Sequence, residues 1–155
     1  MNRSTYHVQI RYFIFVVLLL GWTGILRAQS TPPVEVVPSE TTVVPGETIT
    51  LVIEAGSAGT SVQNLFGLSF ELTHDDAAFS VLDASAGDFI LQSLSEDELV
   101  VLDDRLDQQP MPYSISRVRP QSGVSGNGSV VELTVKVSDD ASIGDYEFGL
   151  QEVTA

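Results

Sequence analysis

The densest group of side chains able to do chemistry is His74, Asp75 and Asp76, which follows directly on the alternating stretch FGLSFELT at residues 66–73. An imidazole beside two carboxylates could hold a divalent cation or supply the base and acid of a hydrolytic triad. Both readings run short of partners. The only other histidine is His7, in the N-terminal leader, and there is no cysteine, so a multi-histidine metal site and thiol chemistry are both out of reach. No Gly-x-Ser-x-Gly elbow supplies a serine nucleophile. A corner in which Asp75 bonds its own turn backbone fits the pattern better, because short acidic side chains commonly accept from nearby N–H groups.

Adjacent carboxylates recur at Asp103/Asp104 and Asp139/Asp140. Glycoside hydrolysis needs two carboxyl groups a fixed distance apart, one of them in a cleft that raises its pKa, and neighbouring aspartates in connecting loops do not supply that. No catalytic residue is expected. Calcium suits loop carboxylates better, which makes Asp75, Asp76, Asp139 and Asp140 candidate ligands, although none of these stretches has the spaced ligands of an EF-hand loop. No cofactor is otherwise implied. Arg117 and Arg119, in RVRP, share one face of an expected strand. Such a pair neutralises an acidic rim or forks onto the carboxylate of a sugar or a partner. Of the residues that could stack on a sugar, only Tyr113 and Tyr146 lie beyond the leader, besides phenylalanines that read as core.

Residues 1–28 have the three parts of an export signal: Arg3 and Arg11, an uncharged and mostly apolar run from Tyr12 to Leu26, and a small residue at Ala28. The run is shorter than the roughly 20 residues that cross a bilayer as a helix. Cleavage before Gln29 is expected, with the remainder outside the cytoplasm and off the membrane. That remainder has all 21 acidic residues against four basic ones, a net charge of −17. A field of that sign repels phosphate backbones, so nucleic acid is not an expected partner.

Beyond the leader, residues 29–46 are rich in Pro, Ser and Thr and read as a lead-in to a first edge strand. Alternation then dominates. Ile49, Leu51 and Ile53 share one face, as do Phe66, Leu68, Phe70 and Leu72, and then Val131, Leu133, Val135 and Val137. FSVLDA, ELVVLD, YSISRV and DYEFGL are further strand candidates, and SGNG at 125–128 is expected to be a hairpin turn. No helical period is sustained, although Ser95 and Glu98 have capping-box spacing. The expectation is an all-β chain folded as an antiparallel β-sandwich.

The order of these pieces resembles the cohesin domain, the jelly-roll module of cellulosome scaffolds. The matching stretches are VVPGETITLVIEA, NLFGLSFELTHDDAAFSVLDASAGDFI and GNGSVVELTVKVSDDASIGDYEFGL, and the likeness spans residues 35–155. It implies a jelly-roll β-sandwich and a non-catalytic, secreted or cell-surface module associated with polysaccharide breakdown. The implied partner is a dockerin-like or other cell-surface protein, or a polysaccharide. The implied contact face is the outward side of the strand bearing Ser69, Glu71 and Thr73. The chain departs from the family in two places. His74, Asp75 and Asp76 stand where Tyr-Asp-Pro is common, and the dockerin-facing polar positions fall at Gly67 and Ser69, too small for the usual hydrogen bonds. Cohesins also continue past the equivalent of LQEVTA into a last strand beside the first. The expectation is therefore a jelly roll short of that strand, completed by further sequence or by a neighbouring chain. The second case would make this a strand-exchanging adhesion or assembly subunit that self-associates through an open sheet edge.

Overall fold

The computed structural model describes residues 33–118 and 122–155. The expected leader and Arg119 lie outside them. Along the chain come β1 (Val34–Pro38), β2 (Thr48–Ala55), β3 (Val62–Leu65), β4 (Gly67–Thr73), β5 (Phe79–Ala86), α1 (Asp88–Leu91), a 3₁₀ turn (Glu96–Glu98), β6 (Leu99–Asp104), β7 (Met111–Arg117), β8 (Val124–Gly126), β9 (Gly128–Val137) and β10 (Gly149–Thr154).

Alternation of side chains decides the architecture. On β2 the buried positions are Ile49, Leu51, Ile53 and Ala55, while Val52 and Glu54 on the other face stay half-exposed. On β4 they are Leu68, Phe70 and Leu72; on β7, Met111, Tyr113 and Ile115; on β9, Val131, Leu133, Val135 and Val137. A strand with one apolar face needs a second layer to cover it. The strands accordingly form two four-stranded antiparallel sheets, β1-β2-β9-β5 and β10-β4-β7-β6, with a two-stranded ribbon β3-β8. Phe70 and Tyr113 pack ring to ring at 5.8 Å in the core between them. Each fully buried side chain of this kind contributes about 1.5–3 kcal/mol by leaving water. The fold is the expected antiparallel jelly-roll sandwich, with β1 at a sheet edge.

Four local expectations are corrected. DYEFGL is not a strand over its length: residues 145–148 belong to the loop after β9, and only its last two residues, Gly149 and Leu150, enter β10. Phe66 lies just before β4 and is half-exposed; its carbonyl accepts from Arg117 N at 2.9 Å, closing the end of the β4–β7 ladder. SGNG is no hairpin, because β8 pairs with β3 (Val62↔Gly126, Leu65↔Val124), and the glycines at 126 and 128 carry the chain from that ribbon into β9. A single helical turn, α1, places Phe89 and Ile90 in the core. It is too short to show a period in sequence. Its entry is set by Gly87, where an added Cβ would collide with the Ser129 backbone carbonyl, and by the Ser129 hydroxyl, which accepts from Asp88 N at 3.1 Å. The Ser95–Glu98 spacing does start a turn, with the Glu98 carboxylate accepting from Ser95 N at 3.1 Å.

Candidate functional site

The same parity that buries Leu68, Phe70 and Leu72 turns Ser69, Glu71 and Thr73 outward, all three half-exposed. Register brings neighbours alongside them. On one side β10 sets Gln151 opposite Glu71 and Gly149 opposite Thr73. Gln151 Nε2 donates to Glu71 Oε2 at 2.9 Å, and Thr73 Oγ1 donates to the Gly149 carbonyl at 3.3 Å. On the other side β7 sets Pro112 opposite Glu71, Ser114 opposite Ser69 and Ser116 opposite Gly67. β6 then adds Val100 opposite Ser116 and Asp103 opposite Ser114. Ser69, Ser114 and Ser116 are small, so the middle of the sheet is flat. Gly67 is there for a packing reason, since a Cβ would come 2.7 Å from the Ile115 carbonyl oxygen.

One flank is charged and one apolar. Arg105 grips Asp103 with both arms, Nε to Oδ1 at 2.8 Å and Nη2 to Oδ2 at 2.6 Å. The Arg105 hydrogen bond holds the Asp103 carboxyl below the usual carboxylate range. Asp103 in turn raises the guanidinium pKa, with a smaller contribution from the charge of Glu71. A forked arginine–carboxylate pair fixes direction as well as charge, and it offers its remaining donors and acceptors outward. Beside it Val100, in register with Ser116 on this edge strand, and Leu102 are exposed, Leu102 at 68 %, where β6 bulges between Val101 and Asp103 and leaves Leu102 outside the ladder.

The other sequence candidates do not join this face. His74, Asp75 and Asp76 form the corner between β4 and β5. Asp75 Oδ1 accepts from Ala77 N at 2.9 Å, and the Asp75 carbonyl accepts from Ala78 and Phe79. His74 packs on Phe148 at 6.2 Å, and burial lowers its pKa against the pull of Asp76 and Asp75. Asp139 is tied to Lys136 at 3.1 Å, and Asp140 N is held by the Ser138 hydroxyl at 3.3 Å. Among the described residues no three His, Asp or Glu side chains converge as a metal site would need. Arg117 is a correction. It lies on the inward face of β7 at 5 % exposure, donating to the Ile90 carbonyl at 2.6 Å and the Gln92 carbonyl at 3.3 Å, where it caps the C-terminal end of α1. It is not available to a surface ligand. Tyr113 is likewise buried, with its pKa raised by burial.

No family model matches the chain, and no curated protein matches it in sequence. Solved structures do. The seventh ScaB type I cohesin of Pseudobacteroides cellulosolvens aligns with a TM-score of 0.61 at 17% identity, covering 78% of this chain and 75% of its own. The chain has the cohesin fold. A type II cohesin from the cellulosome of Acetivibrio cellulolyticus aligns at TM-score 0.56 and 19% identity over 79% of this chain and 75% of its own. The OlpA cohesin of Clostridium thermocellum, solved in a type I cohesin–dockerin complex, aligns at 0.57 and 15% identity over 76% of this chain and 81% of its own. At these identities the cohesin-like sandwich is shared, while the side chains on its faces are this chain's own.

Proposed function

We propose that this cohesin-fold domain is a non-catalytic, exported binding module whose partner is a protein of the dockerin type, held on the outward face of β10-β4-β7-β6. The observation that supports it most is the face itself: a flat centre of Ser69, Ser114 and Ser116, flanked by the Asp103–Arg105 pair and the exposed Val100 and Leu102. Flat centre, apolar edge and directed polar groups are the parts of a protein interface. The resemblance puts dockerin contacts on β4, and the likeness to cohesins solved with dockerins agrees with that choice of partner. Gly67 and Ser69 cannot carry long polar contacts. The binding determinants therefore move to Glu71, Thr73, Gln151 and Arg105, and the dockerin that fits differs from those that read the usual residues. The apolar run behind Arg3 and Arg11 supports export, and polysaccharide-degrading enzymes bearing dockerins are the expected partners.

The test is calorimetric titration of the full protein against a panel of dockerins. At least one should bind, and Ser114→Trp, which raises a bulky ring from the flat centre, should weaken it at least about ten-fold, or 1.4 kcal/mol. The melting temperature should stay within two degrees or so of wild type, as expected for a half-exposed site. Binding indifferent to Ser114→Trp would place the contact elsewhere.

A second reading rests on β1. Among the described residues it pairs only with β2, leaving one backbone edge free for a strand from a neighbouring copy. Concentration-dependent sizing chromatography separates the two, since strand exchange gives dimers or higher species and a dockerin-binding module stays monomeric.

A further inference from the structure

We propose that the loop end of the sandwich carries a second binding site, an acid-rimmed apolar cleft that receives a basic peptide segment bearing an aliphatic or aromatic side chain between lysines or arginines. The walls are the loop of residues 39–47, between β1 and β2, and the loop of residues 138–148, between β9 and β10, and they enclose about 460 Å³. That is the size of an ordinary ligand pocket, roughly 300–1,000 Å³. Its floor is Ile49, Phe79, Val137 and Phe148.

The walls are braced before any ligand arrives. Gly46 N donates to the Val137 carbonyl at 3.2 Å, Val137 N to the Glu47 carbonyl at 2.8 Å, and Val44 N to the Glu47 carboxylate at 2.9 Å. Across the cleft the Tyr146 ring stands edge-on to Phe79 at 5.2 Å, and its hydroxyl donates to the Ser142 carbonyl at 2.7 Å. A pocket held open in this way costs a ligand little ordering.

Charge specifies the occupant. The two loops together have six carboxylates and no lysine or arginine. Glu40 and Asp145 line the cleft and are exposed, and neither carboxylate has a hydrogen bond or ion pair to another described residue. Lys136, at the end of β9, is already tied to Asp139 at 3.1 Å. A cleft lined by one sign of charge over low-dielectric walls concentrates the opposite charge. Length is specified by Ile143, which lines the cleft and is fully exposed on its outer side, so the apolar surface runs on past the cavity along the loop of residues 138–148. The occupant is therefore a polypeptide rather than a single amine. The site does not depend on the dockerin-type face, which lies on the outer side of one sheet.

The test titrates the full protein with an acetylated pentapeptide, one phenylalanine between two pairs of lysines, followed by amide NMR shifts. The same peptide with glutamates for lysines, and cellohexaose, are run alongside. The proposal expects shifts concentrated at Thr42, Ile143 and Tyr146 with the basic peptide alone. Glu40→Gln with Asp145→Asn should weaken binding about five-fold at low ionic strength, with the difference shrinking as salt screens the rim. Thr42→Trp, which plugs the cleft from an exposed position, should abolish it, with a melt confirming that the variant is folded. Equal binding of the acidic peptide or cellohexaose, no shifts at these residues, or a double variant that binds like wild type would each overturn the proposal.

Discussion

At the scale of single residues, Arg117 and His74 are both governed by burial. Arg117 extends the inward series Met111, Tyr113, Ile115 by one more step of two, and parity alone places its guanidinium inside. RVRP gives no hint of what it meets there, because the Ile90 and Gln92 carbonyls come from a turn about 25 residues earlier. Arg117→Ala should destabilise the domain by about 2–4 kcal/mol in urea unfolding, since it leaves buried carbonyls without donors and opens a gap. His74 responds to acid. Burial lowers its pKa from the ordinary 6.5, so as the pH falls through that value the unfolded chain takes up a proton before the folded one does. Stability should therefore fall with pH in the window just below 6.5 and level off under the folded value. Asp103, held below its ordinary 3.8, contributes only in stronger acid. Urea midpoints of wild type and His74→Gln near neutrality and at about pH 5 check this; the wild type should lose more than the variant.

At the scale of elements, strands with strict alternation were legible and short ones were not. β2, β4, β7 and β9 each bury the face that their apolar positions mark. β3 and β8, with four and three residues, offer too few positions for a period, and α1 makes a single turn. The proposed contact face is an intermediate case. Ser69, Glu71 and Thr73 follow from the parity of β4, whereas Arg105, Asp103, Gln151, Val100 and Leu102 become its neighbours only through the strand order β10-β4-β7-β6. Order and register depend on long-range pairing that no local stretch encodes. The close approach at Gly67 gives a test of that register. Gly67→Val should cost about 1–3 kcal/mol in thermal or urea unfolding, because the Cβ meets the β7 backbone rather than a movable side chain.

At the scale of the whole molecule, the charge is strongly one-sided, −14 over the full chain. Among the described residues only two ion pairs, Asp103–Arg105 and Lys136–Asp139, offset it. Self-repulsion of this kind weakens the compact state and is screened by salt. Raising sodium chloride from about 0.1 M to 1 M shortens the screening length from about 10 Å to 3 Å and should raise the melting temperature. The reverse trend would mean that ion pairs, rather than repulsion, dominate. The same field acts on partners, favouring those with basic surface. The most direct test of the account is an amide hydrogen-exchange footprint of the full protein with a dockerin that binds it. Protection concentrated on β4, β6 and β7, at Ser69, Glu71, Val100 and Ser114, is the predicted result; protection confined to β1, β2, β5 and β9 would contradict it.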